Sequence, residues 1–136
     1  MLFVRLAPSP SVTPKRLNTL GDHLRARRIN LGLFQSQVAA IIGVVTSSIF
    51  HWESNATQPE VHYVPAIIRF LGYNPFPAAT EIPERIARAR QLAGMNQKQF
   101  AAALGVDPTT VRDWENGQHT PTRKKLDAVA RILPAY

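Results

Sequence analysis

The chain contains no cysteine, so neither a disulfide framework nor a thiolate-bound metal can organise it. That absence fits a reducing compartment. No apolar stretch approaches the ~18 residues that a membrane-spanning helix needs. The apolar start, Met1 to Leu6, holds Arg5 and runs directly into Pro8, Pro10 and Pro14. A secretory leader has its charge first, then an unbroken apolar run, then small residues, and this segment has the wrong order. A cytoplasmic protein without a membrane segment is therefore expected, with residues 1–17 as a flexible N-terminal arm. The histidines His23, His51, His62 and His119 are scattered without ligand spacing, which argues against a zinc site. There is no strand pattern, no strand-to-helix nucleophile elbow and no glycine-rich phosphate loop. Neither an enzymatic activity nor a cofactor is expected. Acidic residues are also scarce, 9 against 16 Lys and Arg, which leaves a formal charge of +7. Such a balance favours a polyanionic partner such as DNA, RNA or an acidic membrane surface, and is silent about fold.

What the chain does have is an internal repeat. Its 136 residues make one ordinary domain or two very small ones. A shift of 62 positions lays residues 20–71 on residues 82–133 without a gap, and 14 of the 52 pairs are identical. The identities include Arg28/Arg90, Gly32/Gly94, Gln35/Gln97, Gly43/Gly105, Trp52/Trp114, Glu53/Glu115 and Pro59/Pro121. Glycines, core apolars and one charge pair recurring in register mean the same fold twice. The resulting organisation is an arm at 1–17, a first domain at 18–72, a linker at 73–81 and a second domain at 82–136. The linker carries Pro75 and Pro77. Its aromatics Tyr73 and Phe76 are unusual in a solvated tether and are expected to pack against one domain.

The second copy reads as four short helices. Ile82, Ile86, Ala89 and Ala93 have helical spacing, Pro83 suits a first turn, and Gly94 ends that helix. Asn96 caps the next, which places Phe100, Ala101 and Leu104 on one face and ends at Gly105. Asp107 then caps a third helix with Pro108 at its first position. Val111 and Trp114 face inward, and Gly117 provides a left-handed stop. A last helix after Pro121 carries Leu126, Val129, Ala130 and Leu133 on its apolar stripe. Helices two and three are joined by the tight turn Gly105-Val106-Asp107, a helix-turn-helix pattern.

The run Gln97-Lys98-Gln99-Phe100-Ala101-Ala102-Ala103-Leu104-Gly105-Val106, followed by Val111-Arg112-Asp113-Trp114-Glu115-Asn116-Gly117 and Pro121, resembles the Cro/repressor-type helix-turn-helix family, also called XRE. The first copy matches more loosely, through Gln35-Ser36-Gln37-Val38-Ala39, Gly43-Val44, Ile49, Trp52-Glu53 and Pro59. The resemblance implies an all-α fold class, with two tandem lambda-repressor-like helix-turn-helix domains of four to five short helices each. The first copy departs from the pattern in its caps. Phe34 stands where Asn96 caps, Val45 stands where Asp107 caps (with Thr46 beside it as a substitute), and Asn55 replaces Gly117. Pro65 predicts a break, with a last helix from about 65 to 71.

The resemblance also implies roles. The third helix of each copy would lie in the major groove, and the start of the second would grip a phosphate. Base readers would be Thr109, Arg112 and Asp113 in the second copy, and Thr46, Ser47 and His51 in the first. Arginine forks onto guanine, aspartate accepts from cytosine, and threonine methyls suit thymine. Backbone phosphates would fall to Gln97, Lys98, Asn116 and Gln118, and to Gln35 and Ser54. A structural pair, Arg90 with Glu115 and Arg28 with Glu53, would lock each recognition helix against the first helix. Phe50, on an outward position, suits either a thymine methyl or a protein contact. Trp52 and Trp114 read as core. Arg25-Ala26-Arg27-Arg28 reads as a mostly solvated helix face, and Arg123, Lys124 and Lys125 as either phosphate contacts or solubilising charge. Double-stranded DNA is thus the expected partner, with a transcriptional repressor reading adjacent half-sites as the function. The competing reading is an antitoxin-like or dimerisation module, in which the first domain binds protein, as a homodimer or with another partner, and only the second binds DNA.

Overall fold

The computed structural model describes residues 16–132. Apart from Arg16 and Leu17, the expected N-terminal arm lies outside the described residues, as does Leu133. Among the described residues eight helices account for the regular structure. They are α1 (Leu20–Leu31), α2 (Gln35–Ile42), α3 (Thr46–Glu53), α4 (Val64–Leu71), α5 (Ile82–Leu92), α6 (Gln97–Leu104), α7 (Pro108–Glu115) and α8 (Arg123–Ile132). A single 3-10 turn, Val61–Tyr63, precedes α4, and no strand occurs among the described residues. No described helix is long and apolar enough to cross a membrane. The chain divides into two compact units. Of the described residues, one takes those up to Pro59 and again Ala66–Pro75, and the other takes Glu60–Pro65 and those from Phe76.

In the second unit the caps act as their chemistry dictates. Asn96 accepts from the Gln99 amide at 2.8 Å while the Gln99 side chain accepts from the Asn96 amide at 2.9 Å, a reciprocal box that satisfies two orphan donors. Gly105 adopts φ 69° and ends α6. The Lys125 ammonium donates to the Leu104 carbonyl at 2.8 Å, which completes the end of α6 and gives that lysine a structural task. The core gathers Ile86, Phe100, Leu104, Val111, Trp114 and Val129. Each such side chain contributes about 1.5–3 kcal/mol by leaving water. On α8 the inward face differs from the expected stripe. Ala130 is exposed, while Ile132 joins Leu126 and Val129 against the core, because a spacing of three from Val129 keeps Ile132 over the same side of the helix.

The first unit reaches the same arrangement with different caps. Phe34 gives α2 no side-chain acceptor, although Gln37 still accepts from the Phe34 amide at 2.8 Å. Val45 gives α3 no side-chain cap hydrogen bond, and Thr46 is the first helical residue rather than a substitute cap. Asn55 holds the left-handed conformation at φ 63°. Compensation comes from a polar network that the second unit lacks the residues to build. Asp22 is buried and accepts from the Asn18 amide at 3.0 Å and from Asn55 Nδ2 at 2.9 Å. Thr19 Oγ1 donates to Asn55 Oδ1 at 2.7 Å. The start of α1 is thereby tied to the residues that end α3. Pro65 sits in the first turn of α4, and of the part of that helix that belongs to the first unit, from Ala66, the residues Ile67, Ile68 and Leu71 are buried.

Both linker aromatics have partners within their own unit. Tyr73 packs edge-on to His23 with its hydroxyl 2.6 Å from Nδ1, and the Arg88 guanidinium lies 4.2 Å above the Phe76 ring. Burial lowers the pKa of His23, partly offset by Asp22 and by a backbone hydrogen bond to Leu17. The folded unit therefore binds that proton less readily than the unfolded chain does. Stability is complete above the ordinary histidine value of 6.5 and is lost as pH falls through the interval below it. We expect the melting temperature of the first unit to drop between pH 7.5 and 5.5, with the drop reduced in His23→Gln. An equal drop in that variant would assign the pH dependence elsewhere.

Candidate nucleic-acid interface

Each unit presents its third helix over the same three-residue lock. In the first, Arg28 Nε donates to Glu53 Oε2 at 2.7 Å and Nη2 donates to Oε1 at 2.8 Å. The remaining nitrogen, Nη1, donates to the Leu33 carbonyl at 3.0 Å. In the second, Arg90 repeats this with Glu115 at 2.7 and 3.1 Å and with the Met95 carbonyl at 3.1 Å. The third member was not visible in the spacing: Gln35 Nε2 donates to Glu53 Oε1 at 3.1 Å and Gln97 Nε2 to Glu115 Oε1 at 3.2 Å. One glutamate thus joins the first, second and third helices. Recurrence of both glutamines in the same register as the ion pair was the signal that could have revealed it. A bidentate guanidinium–carboxylate pair is geometrically exacting, so it fixes the axis of α3 and of α7 and leaves their opposite faces to solvent. On α7 the inward face is Val111 and Trp114, and Thr109 and Arg112 point out. On α3 the inward face is Ile49 and Trp52, and Thr46, Ser47, Phe50 and His51 point out.

A helix-turn-helix family model matches the chain twice, over residues 24–76 and 86–135. The chain is a tandem pair of DNA-binding helix-turn-helix domains of the XRE type. No curated protein and no solved structure shows a match.

Within the second helix-turn-helix domain the predicted residues differ in how free they are. Arg112 is 56 % exposed and only loosely held, with Nη2 at 3.5 Å from Asp113 Oδ1. Asp113 is half-buried between Arg112 and His119 Nδ1, the latter at 3.4 Å. The Thr109 hydroxyl donates to Asp107 Oδ1 at 2.7 Å, and its amide donates to the same oxygen at 2.9 Å. These two bonds hold the Asp107 carboxyl below its usual range, the hydroxyl first and the amide second. With its proton committed to the cap, the Thr109 hydroxyl can only accept from a ligand. Lys98, Asn116 and Gln118 are exposed. Gln97 has one amide hydrogen engaged by Glu115 and retains a second.

In the first helix-turn-helix domain Thr46, Ser47 and His51 are exposed. Ser54 Oγ lies 3.2 Å from the His51 carbonyl and so donates inward. Gln35 has one amide hydrogen on Glu53, as its counterpart does on Glu115. Phe50 is 55 % exposed and stands edge-on to the His51 ring at 5.5 Å. The run from Arg25 to Arg28 is only in part the mostly solvated face expected for it, all four residues being half-buried. Arg28 belongs to the lock, and Arg27 Nε donates to the Phe70 carbonyl at 3.3 Å, because the helix period turns both toward packed neighbours. No group of histidine, aspartate or glutamate able to hold a metal occurs among the described residues.

Proposed function

We propose that this chain is a transcriptional repressor whose two helix-turn-helix domains read adjacent half-sites on duplex DNA, one polypeptide doing what a dimer of single domains does. The observation that carries this reading is the recurrence of the complete lock, with the Arg–Glu contact at 2.7 Å in each unit. A recognition helix held this rigidly in both units suits groove reading in both. The formal charge of +7 supplies the sequence-independent attraction to phosphate.

Arg112 forks onto the O6 and N7 of a guanine, with Asp113 steering the guanidinium or accepting from a neighbouring cytosine. Thr109 accepts from a base amino group and turns its methyl to thymine. Lys98, Asn116, Gln118 and the second amide hydrogen of Gln97 hold the backbone. In the first domain Thr46, Ser47 and His51 read bases, Gln35 faces a phosphate with its second amide hydrogen, and Ser54 faces one once its hydroxyl turns from the His51 carbonyl. Arg112→Ala is expected to relax preference at one base position by about 1–3 kcal/mol, measured by binding to single-base variants of a selected site. Uniform weakening across all variants would make Arg112 a phosphate contact instead.

One observation favours a second reading. Phe34, Val45 and Phe50 are all more than half exposed in the first domain, and such residues suit a protein surface. In that reading the first domain binds protein, as an antitoxin-like or homodimerising module, and only the second binds DNA. A footprint covering one half-site in place of two would decide for it.

A further inference from the structure

In the first unit an open cleft of about 250 Å³ is lined by Arg25, Arg28, Gln35, Phe50, Glu53 and Ser54. Its charge balance is simple. Both oxygens of Glu53 are taken by Arg28, and one also accepts from Gln35, so Arg28 and Glu53 neutralise each other. Arg25 is half-buried, and its guanidinium makes no hydrogen bond or ion pair among the described residues. The cleft therefore carries one uncompensated guanidinium, beside the apolar wall of Phe50. That wall excludes water on one side and strengthens the field the cation presents.

The repeat shows what the arrangement replaces. Position 25 is arginine and position 50 phenylalanine in the first copy, and their counterparts are Ala87 and Arg112. The second copy has its exposed guanidinium on the third helix, where Arg112 is loosely paired with Asp113 at 3.5 Å, and the first copy has an unpaired one in this cleft, on α1.

We propose that this cleft seats one phosphodiester of the DNA backbone, with Arg25 as a phosphate-binding residue of the first unit; the inference rests on the reading that this unit binds DNA. The planar fork of a guanidinium matches two phosphate oxygens, and the second amide hydrogen of Gln35 lies on the same cleft. A phosphate rather than a base is the fitting ligand. The cleft is walled by the end of α3, at Glu53 and Ser54, whereas base edges are met by the start of a recognition helix.

The test uses the full chain on its selected duplex over a salt series. Arg25→Gln is expected to reduce the slope of log affinity against log salt by about 0.9, so that between 50 and 200 mM the wild type loses about 3.5-fold more affinity than the variant. Base preference stays unchanged, and Arg25→Lys, which keeps the charge, restores most of the slope. Neutralising phosphates singly by methylphosphonate substitution should identify one position that weakens the wild type and leaves Arg25→Gln unaffected. An unchanged slope on an intact two-part footprint would overturn the role of Arg25 alone. A footprint lacking the first unit's half would overturn the underlying reading with it. Inorganic phosphate at constant ionic strength should displace both proteins equally. Selective displacement of the wild type would assign the cleft to a free anion and overturn the assignment to DNA.

Discussion

Replacing Glu53 with alanine is expected to cost the first unit about 3–5 kcal/mol, the range for removing one partner of a buried ion pair. The side chain is 3 % exposed and is the common acceptor for Arg28 and Gln35. Its loss leaves the Arg28 guanidinium, 17 % exposed, with a single carbonyl partner, Leu33. Stabilities of small domains are about 5–15 kcal/mol, so the variant sits near the edge of folding. The two tryptophans make this measurable unit by unit, because Trp52 is buried in the first and Trp114 in the second. Urea unfolding of Glu53→Ala in a Trp114→Phe background would follow Trp52 alone. Glu115→Ala should cost somewhat less, since Glu115 is the more exposed of the two glutamates. Replacing both Arg28 and Glu53 with apolar residues should recover part of the loss, because no charge is then stranded. A loss below about 1 kcal/mol, the worth of an exposed pair, would show that the lock is not what holds α3.

The second large effect is expected at Gly21. A Cβ added there would lie 1.9 Å from the Trp52 carbonyl oxygen and 2.7 Å from its carbon. Both are backbone atoms near the end of α3, so no side-chain rotation relieves the contact and α1 must move away from α3. Overpacking costs about 1–3 kcal/mol and sometimes more. Gly21→Ala should fall at the upper end of that range, since the displacement also strains the Asp22–Asn55 and Thr19–Asn55 bonds. The matching position in the second unit is Pro83, which already carries a Cβ and stands clear of Gly117, whose added Cβ would be 3.7 Å from Pro83 Cγ. Pro83→Ala should therefore cost no more than about 1 kcal/mol, through chain entropy. Equal losses in the two variants would mean that the close approach at Gly21 is relieved without cost.

These two sites mark where the fold was legible and where it was not. Local rules sufficed for the caps at Asn96 and Asp107, for the stops at Gly105 and Gly117, and for burial of both tryptophans, since each depends on neighbours within one or two turns. Recurrence of Arg28 with Glu53 as Arg90 with Glu115 carried the ion pair across 25 positions, because a repeat preserves what a packed pair requires. The glutamines recurred with them and pointed to phosphate alone, although an amide has hydrogens for two partners. Gly21, Asp22 and Asn55 form a contact found in one copy only, so no repeat could flag it. The same holds for Lys125, whose partner is a carbonyl and so leaves no trace in residue identity. Arg27 shows why a charge run on a helix looks solvated until its neighbours are placed. The outward position of Phe50 follows from the helix period, whereas the cleft that half-buries Arg25 beside it does not.

The measurement that bears most directly on the account is selection of bound sequences from random duplex DNA with the intact chain. Two variants are run beside it, one with Thr46, Ser47 and His51 replaced by alanine and the other with Thr109 and Arg112 replaced. A two-part motif is expected, of which one part disappears with each set of replacements. A single-part motif, indifferent to the replacements on α3 and abolished by those on α7, would contradict it and leave DNA to the second unit alone.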